Sequence, residues 1–204
     1  MLGWQPDAAP GHGWPLGERT WINPSPNAPN LSMARAYAGT VMLEGTTLSE
    51  GRGTTRPLEI FGAPDLDARA VLGEMRALAP HWLAGCQLRE IWFEPTFHKH
   101  AGQLCNGIQI HVEGPYYDHA AFQPWRLQAL AFKAIRRLWP DYPLWRDFAY
   151  EYEHDRLAID LINGSPLLRE WVDDPSATPD ELDAPSAGDE AAWQAATADF
   201  LLYR

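Results

Sequence analysis

The chain has 204 residues, 46% hydrophobic and 12% aromatic, enough apolar surface for one or two packed domains. A formal net charge of -11 and a pI near 5.0 exclude a broad basic face for nucleic acid or an anionic membrane, since both need clustered Lys and Arg. No run approaches the roughly 18 apolar residues of a membrane-spanning helix, and two cysteines, Cys86 and Cys105, are too few for a disulfide framework and are expected as free thiols.

The opening stretch, Met1 to Trp14, lacks the basic and apolar regions of a secretory signal. Residues 1–38 carry Pro6, Pro10, Pro15, Pro24, Pro26 and Pro29 with no periodicity, so they read as extended surface segment and turns. Within them Asn23-Pro24-Ser25-Pro26-Asn27 is a rigid polar loop, either a turn or a set of short side chains presented to a ligand. Leu31 to Tyr37 suits a short helix. Val41-Met42-Leu43 then reads as a strand buried on both faces, as in a parallel sheet, with Glu44 at its carboxyl end. That end of a strand is where α/β sheets gather ligands. The loop beyond it, Gly45 to Thr55, is rich in glycine and hydroxyls, and can aim N–H groups at an anion with Arg52 as a forked donor. Leu58 to Phe61 is a second apolar run. The expected organisation is α/β plus α+β: residues 1–62 as the tail of a larger α/β domain, and 63–204 as a smaller α+β domain.

In that second part, Asp67 to Leu78 places Val71, Leu72 and Met75 on one helical face. Leu88 to Phe93 suits a strand, and Gly107 to Glu113 alternates Ile108, Ile110 and Val112 inward with Gln109, His111 and Glu113 outward, the pattern of a sheet wet on one side. The helix from Pro124 to Leu138 is expected to leave Arg126, Lys133, Arg136 and Arg137 outside. Ser165-Pro166 starts a helix through Trp171. Thr178 to Glu181 has the spacing of a capping box, while Asp173 to Glu190 reads as a solvated connection before a last helix from Asp189 to Phe200.

Three constellations could carry chemistry. Glu44 with Ser49, Arg52 and Thr54 sets a carboxyl group under a loop of donors; glycoside hydrolysis usually needs two such groups, and the bland role is a buttress for the loop. His98, Lys99, His100 and Gln103 form a polar stretch: a ligand-contacting loop, a structural one, or, with His98 and His100 on one face, the start of a metal site whose further ligands have no diagnostic spacing. Most aromatics belong to the core; Tyr116 and Tyr117, in a loop after a strand, are open for ligand contact.

The blocks "NPSPN" (Asn23 to Asn27), "GTVMLEGTTLSEGRGTTRP" (Gly39 to Pro57), "FGAP", "FEPTFHKHAGQLCNGIQIHV" (Phe93 to Val112), "FQPWRLQALAFKAIRRL" (Phe122 to Leu138), "LAIDLINGSPLLREW" and "FLLYR" together resemble the NamZ-type exo-β-N-acetylmuramidases, peptidoglycan glycosidases long filed as a domain of unknown function. The resemblance implies part of an enzyme that releases terminal N-acetylmuramic acid (MurNAc) from non-reducing ends of peptidoglycan fragments, with no cofactor and no metal. It also implies a Rossmann-like amino-terminal domain as partner, and a bacterial, periplasmic or extracellular setting. Glu44 is then the catalytic candidate, and Asn23, Ser25, Asn27, Thr46, Ser49, Arg52, Thr54, His98, Lys99, His100 and Gln103 are substrate-binding candidates, with Arg52 suited to the sugar's lactyl carboxylate. Two other classes remain beside it: a non-catalytic carbohydrate-binding or assembly module, and a metal-dependent hydrolase using His98 and His100.

Overall fold

A computed structural model describes residues 20–200. They fall into two compact units, one from Trp21 to Pro175 and another containing the residues from Ser176. The segments ending at Pro15, and the last four residues of the closing block, lie outside the described residues.

Helix α1 (Leu31–Thr40) starts where Asn30 can cap it, its side-chain oxygen accepting from Met33 N–H at 2.8 Å. The same amide donates to Glu59 at 2.9 Å, which ties the helix start to the segment before the sheet. Beyond Thr40 the chain does not become a strand. Val41–Gly45 is a 3-10 turn that continues α1, with Met42 and Leu43 buried. A three-residue apolar run satisfies burial in either geometry, and periodicity over so short a span does not discriminate between them.

The second apolar run does form a strand, β1 (Ile60–Ala63), with β2 (Gln87–Phe93) and β3 (Cys105–His111) following. All three are antiparallel, in the order β1-β3-β2, with Phe61 opposite Ile108 and Ile91 opposite Gly107. The boundary expected at residue 62 therefore falls inside β1, whose pairing with Asn106 to Gln109 makes residues 21–175 one unit. This unit is a mixture of helices with a small antiparallel sheet.

β3 buries Ile108 and Ile110 as expected but Gln109 as well, so the expected wet face is reduced to half-buried His111 and, just beyond the strand, exposed Glu113. One face meets α2 (Ala68–Leu78), whose first turn donates from Ala68 N–H to Asn106 at 2.7 Å. Over the other face, where Ile60, Ile91, Phe93 and Cys105 pack together, lies the glycine-rich loop. Gln109 is satisfied there by a hydrogen bond from Arg89.

Helix α3 (Pro124–Leu138) buries Leu127, Leu130, Ala131, Phe132, Ala134 and Ile135 completely and packs against α1, α2 and a later helix, α5 (Leu167–Asp173). Lys133, expected outside, is buried too. Its ammonium donates to the carbonyls of Trp171 at 2.6 Å and Asp174, at the end of α5, where helix carbonyls lack internal partners. Before α5 comes a short α4 (Ala158–Asn163), and Arg169 of α5 forks onto Asp160 of α4 at 2.9 Å. In the second unit, α6 (Pro179–Thr197) starts at the Thr178 and Glu181 capping box, so the stretch read as a solvated connection is helical from Pro179 onward. Both cysteines are free thiols, with burial raising Cys86 to about 12 and Cys105 to about 11.

Candidate functional site

The site grows out of the loop between the 3-10 turn and β1. Ser49 and Gly62 exchange backbone hydrogen bonds of 2.8 and 3.0 Å, and Leu58 N–H donates to Glu50 O at 2.8 Å. Gly51 has φ +67°, and an added Cβ would stand 2.4 Å from Ile60 Cγ1; Gly53 has φ +79°, with the side-chain oxygen of Thr96 1.8 Å from where a Cβ would be. Only glycine permits both the left-handed backbone and the close approach, which is why the loop can lie flat on the sheet.

That conformation turns Arg52 toward two carboxylates. Its Nη2 donates to Glu44 at 2.8 Å and its Nε to Glu50 at 2.5 Å. Glu50 is buried, lies 2.8 Å from the Lys99 ammonium through its other oxygen, and has His98 Nδ1 at 3.3 Å. Burial alone would raise its pKa, but Lys99 and Arg52 outweigh that and hold it at about 2. Lys99 donates as well to the carbonyls of Leu43 at 2.6 Å and Thr46 at 3.1 Å, so one ammonium joins the 3-10 turn to the loop. Its pKa falls to about 8, burial being the main cause.

The remaining oxygen of Glu44 accepts from the Tyr150 hydroxyl at 3.0 Å. Burial first, then the carboxylate, raises that phenol to about 12, so it keeps its proton and donates. Tyr150 is set by a tight hairpin in which Tyr150 and Glu153 exchange backbone bonds of 3.1 and 2.9 Å across Glu151 and Tyr152, both at positive φ. The chain leading to it is laced to the 3-10 turn: Thr47 N–H donates to Leu144 O at 2.9 Å and Arg146 N–H to Gly45 O at 3.0 Å.

Two pockets meet at the Glu44 and Arg52 pair. The larger, about 410 Å³, is walled by Trp21, Met33, Tyr37 and Leu58, with Ser25 and Asn27 on its rim. The smaller, about 270 Å³, is bounded by Phe97, His98, Arg146, Phe148 and Tyr150. Glu44 is the carboxylate common to both linings.

The expected site residues separate into groups. Glu44, Arg52, His98, Ser25 and Asn27 reach the pockets, whereas Asn23 is exposed and lines neither. The hydroxyls of Thr46, Ser49 and Thr54 serve the loop itself: Thr46 donates to Leu43 O at 2.9 Å, Ser49 accepts from Gly51 N–H at 3.1 Å, and Thr54 donates to Gly51 O at 2.6 Å. His100 meets Thr47 O at 2.9 Å, Lys99 is internal, and Gln103 is exposed in a turn. His98 and His100 thus face different partners, and among the described residues no group of three or more His, Cys, Asp or Glu side chains is arranged for a metal ion. Tyr116 is exposed, while Tyr117 lies under Arg35 and bonds His119, away from both pockets. Sequence reasoning missed Trp21, Tyr37, Arg146, Phe148 and Tyr150. The last three sit about a hundred residues from Glu44 in an irregular segment whose only signal is the cluster of aromatics in "DFAYEYEH".

A family model described as exo-beta-N-acetylmuramidase NamZ, C-terminal, matches residues 35–203. The chain belongs to the NamZ family. The match takes in Glu44, Arg52, Lys99, Arg146 and Tyr150. A relative within the curated NamZ proteins, the peptidoglycan beta-N-acetylmuramidase NamZ of Bacillus subtilis (strain 168), is 36% identical over 121 residues, 59% of this chain and 28% of that protein. Two crystal structures of DUF1343 family proteins from Bacteroides fragilis share the fold: one with TM-score 0.70 at 20% identity, covering 91% of this chain and 46% of its own, the other with 0.61 at 21%, covering 90% and 44%. The chain therefore spans less than half the length of each of these three proteins.

Proposed function

We propose that this chain forms one wall of the cleft of an exo-β-N-acetylmuramidase, which hydrolyses terminal MurNAc from non-reducing ends of peptidoglycan fragments. The family match and the 36% identity to the Bacillus subtilis enzyme support the reaction class. The observation that carries the assignment of a residue is the position of Glu44, at the junction of two pockets, with Arg52 on one oxygen and Tyr150 on the other.

Both donors keep their protons, so Glu44 is oriented as an acceptor. That suits a nucleophile, or a base for water, better than the acid that protonates the leaving oxygen. Glu50 is ill-suited to the acid role: it is buried, doubly ion-paired and held at about 2. It serves instead as the fixed negative charge that aims Arg52 and Lys99. The second reacting carboxyl group comes, in this reading, from a further Rossmann-like domain that closes the cleft over Glu44. The pocket lined by Trp21 and Tyr37 offers aromatic faces for a sugar ring, and the smaller one offers cationic and polar groups.

The test is release of para-nitrophenol from para-nitrophenyl β-MurNAc. It is run with this chain alone, with the chain joined to such an amino-terminal domain, and with Glu44→Gln in whichever form turns over. Loss of at least about a thousandfold in kcat is expected for a reacting carboxylate, on the scale of covalent and acid–base contributions. Full activity of the variant removes Glu44 from the reaction, and sugar binding without turnover in the joined protein favours a carbohydrate-binding module.

A further inference from the structure

Arg146 is a cation of this site that no acid among the described residues neutralises. Among the described residues no ion pair holds its guanidinium, whereas Arg52 is divided between Glu44 and Glu50. Its place is fixed all the same. Its backbone N–H is bonded to Gly45, the residue after Glu44, and its guanidinium carbon lies 3.9 Å from the centre of the Phe148 ring. The guanidinium carbon sits over the ring, and no side-chain hydrogen bond among the described residues takes its N–H groups, which suits it to a planar two-oxygen anion.

The local charge agrees. The smaller pocket is lined by two arginines, Arg52 and Arg146, against one carboxylate, Glu44, and the Glu50–Lys99 pair behind it cancels. A pocket with one positive charge in excess is notable in a chain whose formal net charge is -11. Arg146 is also half-buried, so an anion reaching it meets fewer competing waters than at an open surface.

We propose that Arg146 binds a carboxylate borne by the substrate, namely the lactyl carboxylate of the muramic acid ring, and so sets the preference for that sugar over N-acetylglucosamine. The identity of the sugar rests on the muramidase reading; the carboxylate site does not. The role expected of Arg52 from the sequence passes to Arg146, because Arg52 is already engaged by two carboxylates. Arg52 instead orients Glu44.

The experiment follows amide resonances of the isotopically labelled chain during titration with MurNAc, N-acetylglucosamine and D-lactate. The proposal expects MurNAc and D-lactate to move the amides of His98, Phe148 and Tyr150, with MurNAc bound at least about tenfold more tightly than N-acetylglucosamine. Arg146→Gln abolishes the D-lactate shifts and levels the two sugars. Arg146→Lys, which keeps the charge and loses the fork, retains a reduced preference and decides the matter if Arg146→Gln does not fold. Wild-type resonances that ignore both carboxylates overturn the proposal, as does a folded Arg146 variant with its preference intact. Carboxylate shifts that depend on Arg146, in a protein that never hydrolyses para-nitrophenyl β-MurNAc, would sink the muramidase reading and leave the carboxylate site standing.

Discussion

Lys99 holds the site together, and replacing it with methionine is the perturbation whose size the structure fixes best. The side chain is only 8% exposed, so methionine fills its volume and the apolar part of the contact survives. What disappears is the ammonium: its ion pair with Glu50 at 2.8 Å and its hydrogen bonds to Leu43 O and Thr46 O. Removing one partner of a buried pair costs about 3–5 kcal/mol, because the other charge stays buried without compensation. Here Arg52 still lies 2.5 Å from the second oxygen of Glu50, so the lower end, about 3 kcal/mol, is expected. For a domain of this size that corresponds to a fall in Tm of about 6–12 °C. Calorimetry with urea unfolding measures it. Adding Glu50→Gln to Lys99→Met should recover part of the loss, since the stranded charge goes with it. A Lys99→Met chain within about 1 kcal/mol of the wild type would show that the ammonium does not stabilise the turn and loop as argued.

Glu50 is held at about 2 against 4.5 for the free side chain, burial being outweighed by Lys99 and Arg52. A lowered carboxyl pKa stabilises above 4.5 and ceases to as pH falls toward 2, so Glu50→Gln should flatten the acid limb of urea stability in that window, and an unchanged limb counts against the pairing. Gly51→Ala places a Cβ 2.4 Å from Ile60 Cγ1 at φ +67°. Crowding and backbone strain together predict roughly 2–4 kcal/mol of destabilisation, and a shift below about 0.5 kcal/mol in the urea midpoint contradicts the close approach of loop to sheet. Tyr150→Phe removes the hydrogen bond to Glu44 while leaving the ring: stability should move by about 1 kcal/mol or less, and kcat on para-nitrophenyl β-MurNAc should fall by about tenfold. Unaltered kcat would mean that Tyr150 does not orient Glu44.

The sequence made Asp67 to Leu78 and Pro124 to Leu138 legible because helical periodicity over eleven or more residues leaves little choice of period. It misled at Val41 to Leu43, where three apolar residues fit two geometries, and at Gln109 of β3, which alternation placed outward and the fold buries. Lys133, read as solvated, and Lys99, read as a ligand contact, are both turned inward for a common reason: carbonyls without other partners converge on each ammonium, and those carbonyls belong to residues dozens of positions away. Glu44 and Arg52 were found through their place in a glycine-rich loop. Arg146, Phe148 and Tyr150 were not, because an irregular segment has no period to betray which way its side chains turn.

The loop that presents Glu44 and Arg52 also roofs the sheet, with Gly51 against Ile60 and Ser49 bonded to Gly62. The geometry of the candidate site and the packing of the sheet are therefore drawn from the same residues there, and little can drift in that loop without harming both. The strap from Arg146 to Tyr152 is different: it borders the smaller pocket and, among the described residues, pairs with no strand of the sheet. If relatives of this protein diverge in the sugars they accept, that strap is where new specificities can be tried at small risk to the fold, and where a library aimed at altered substrates should begin.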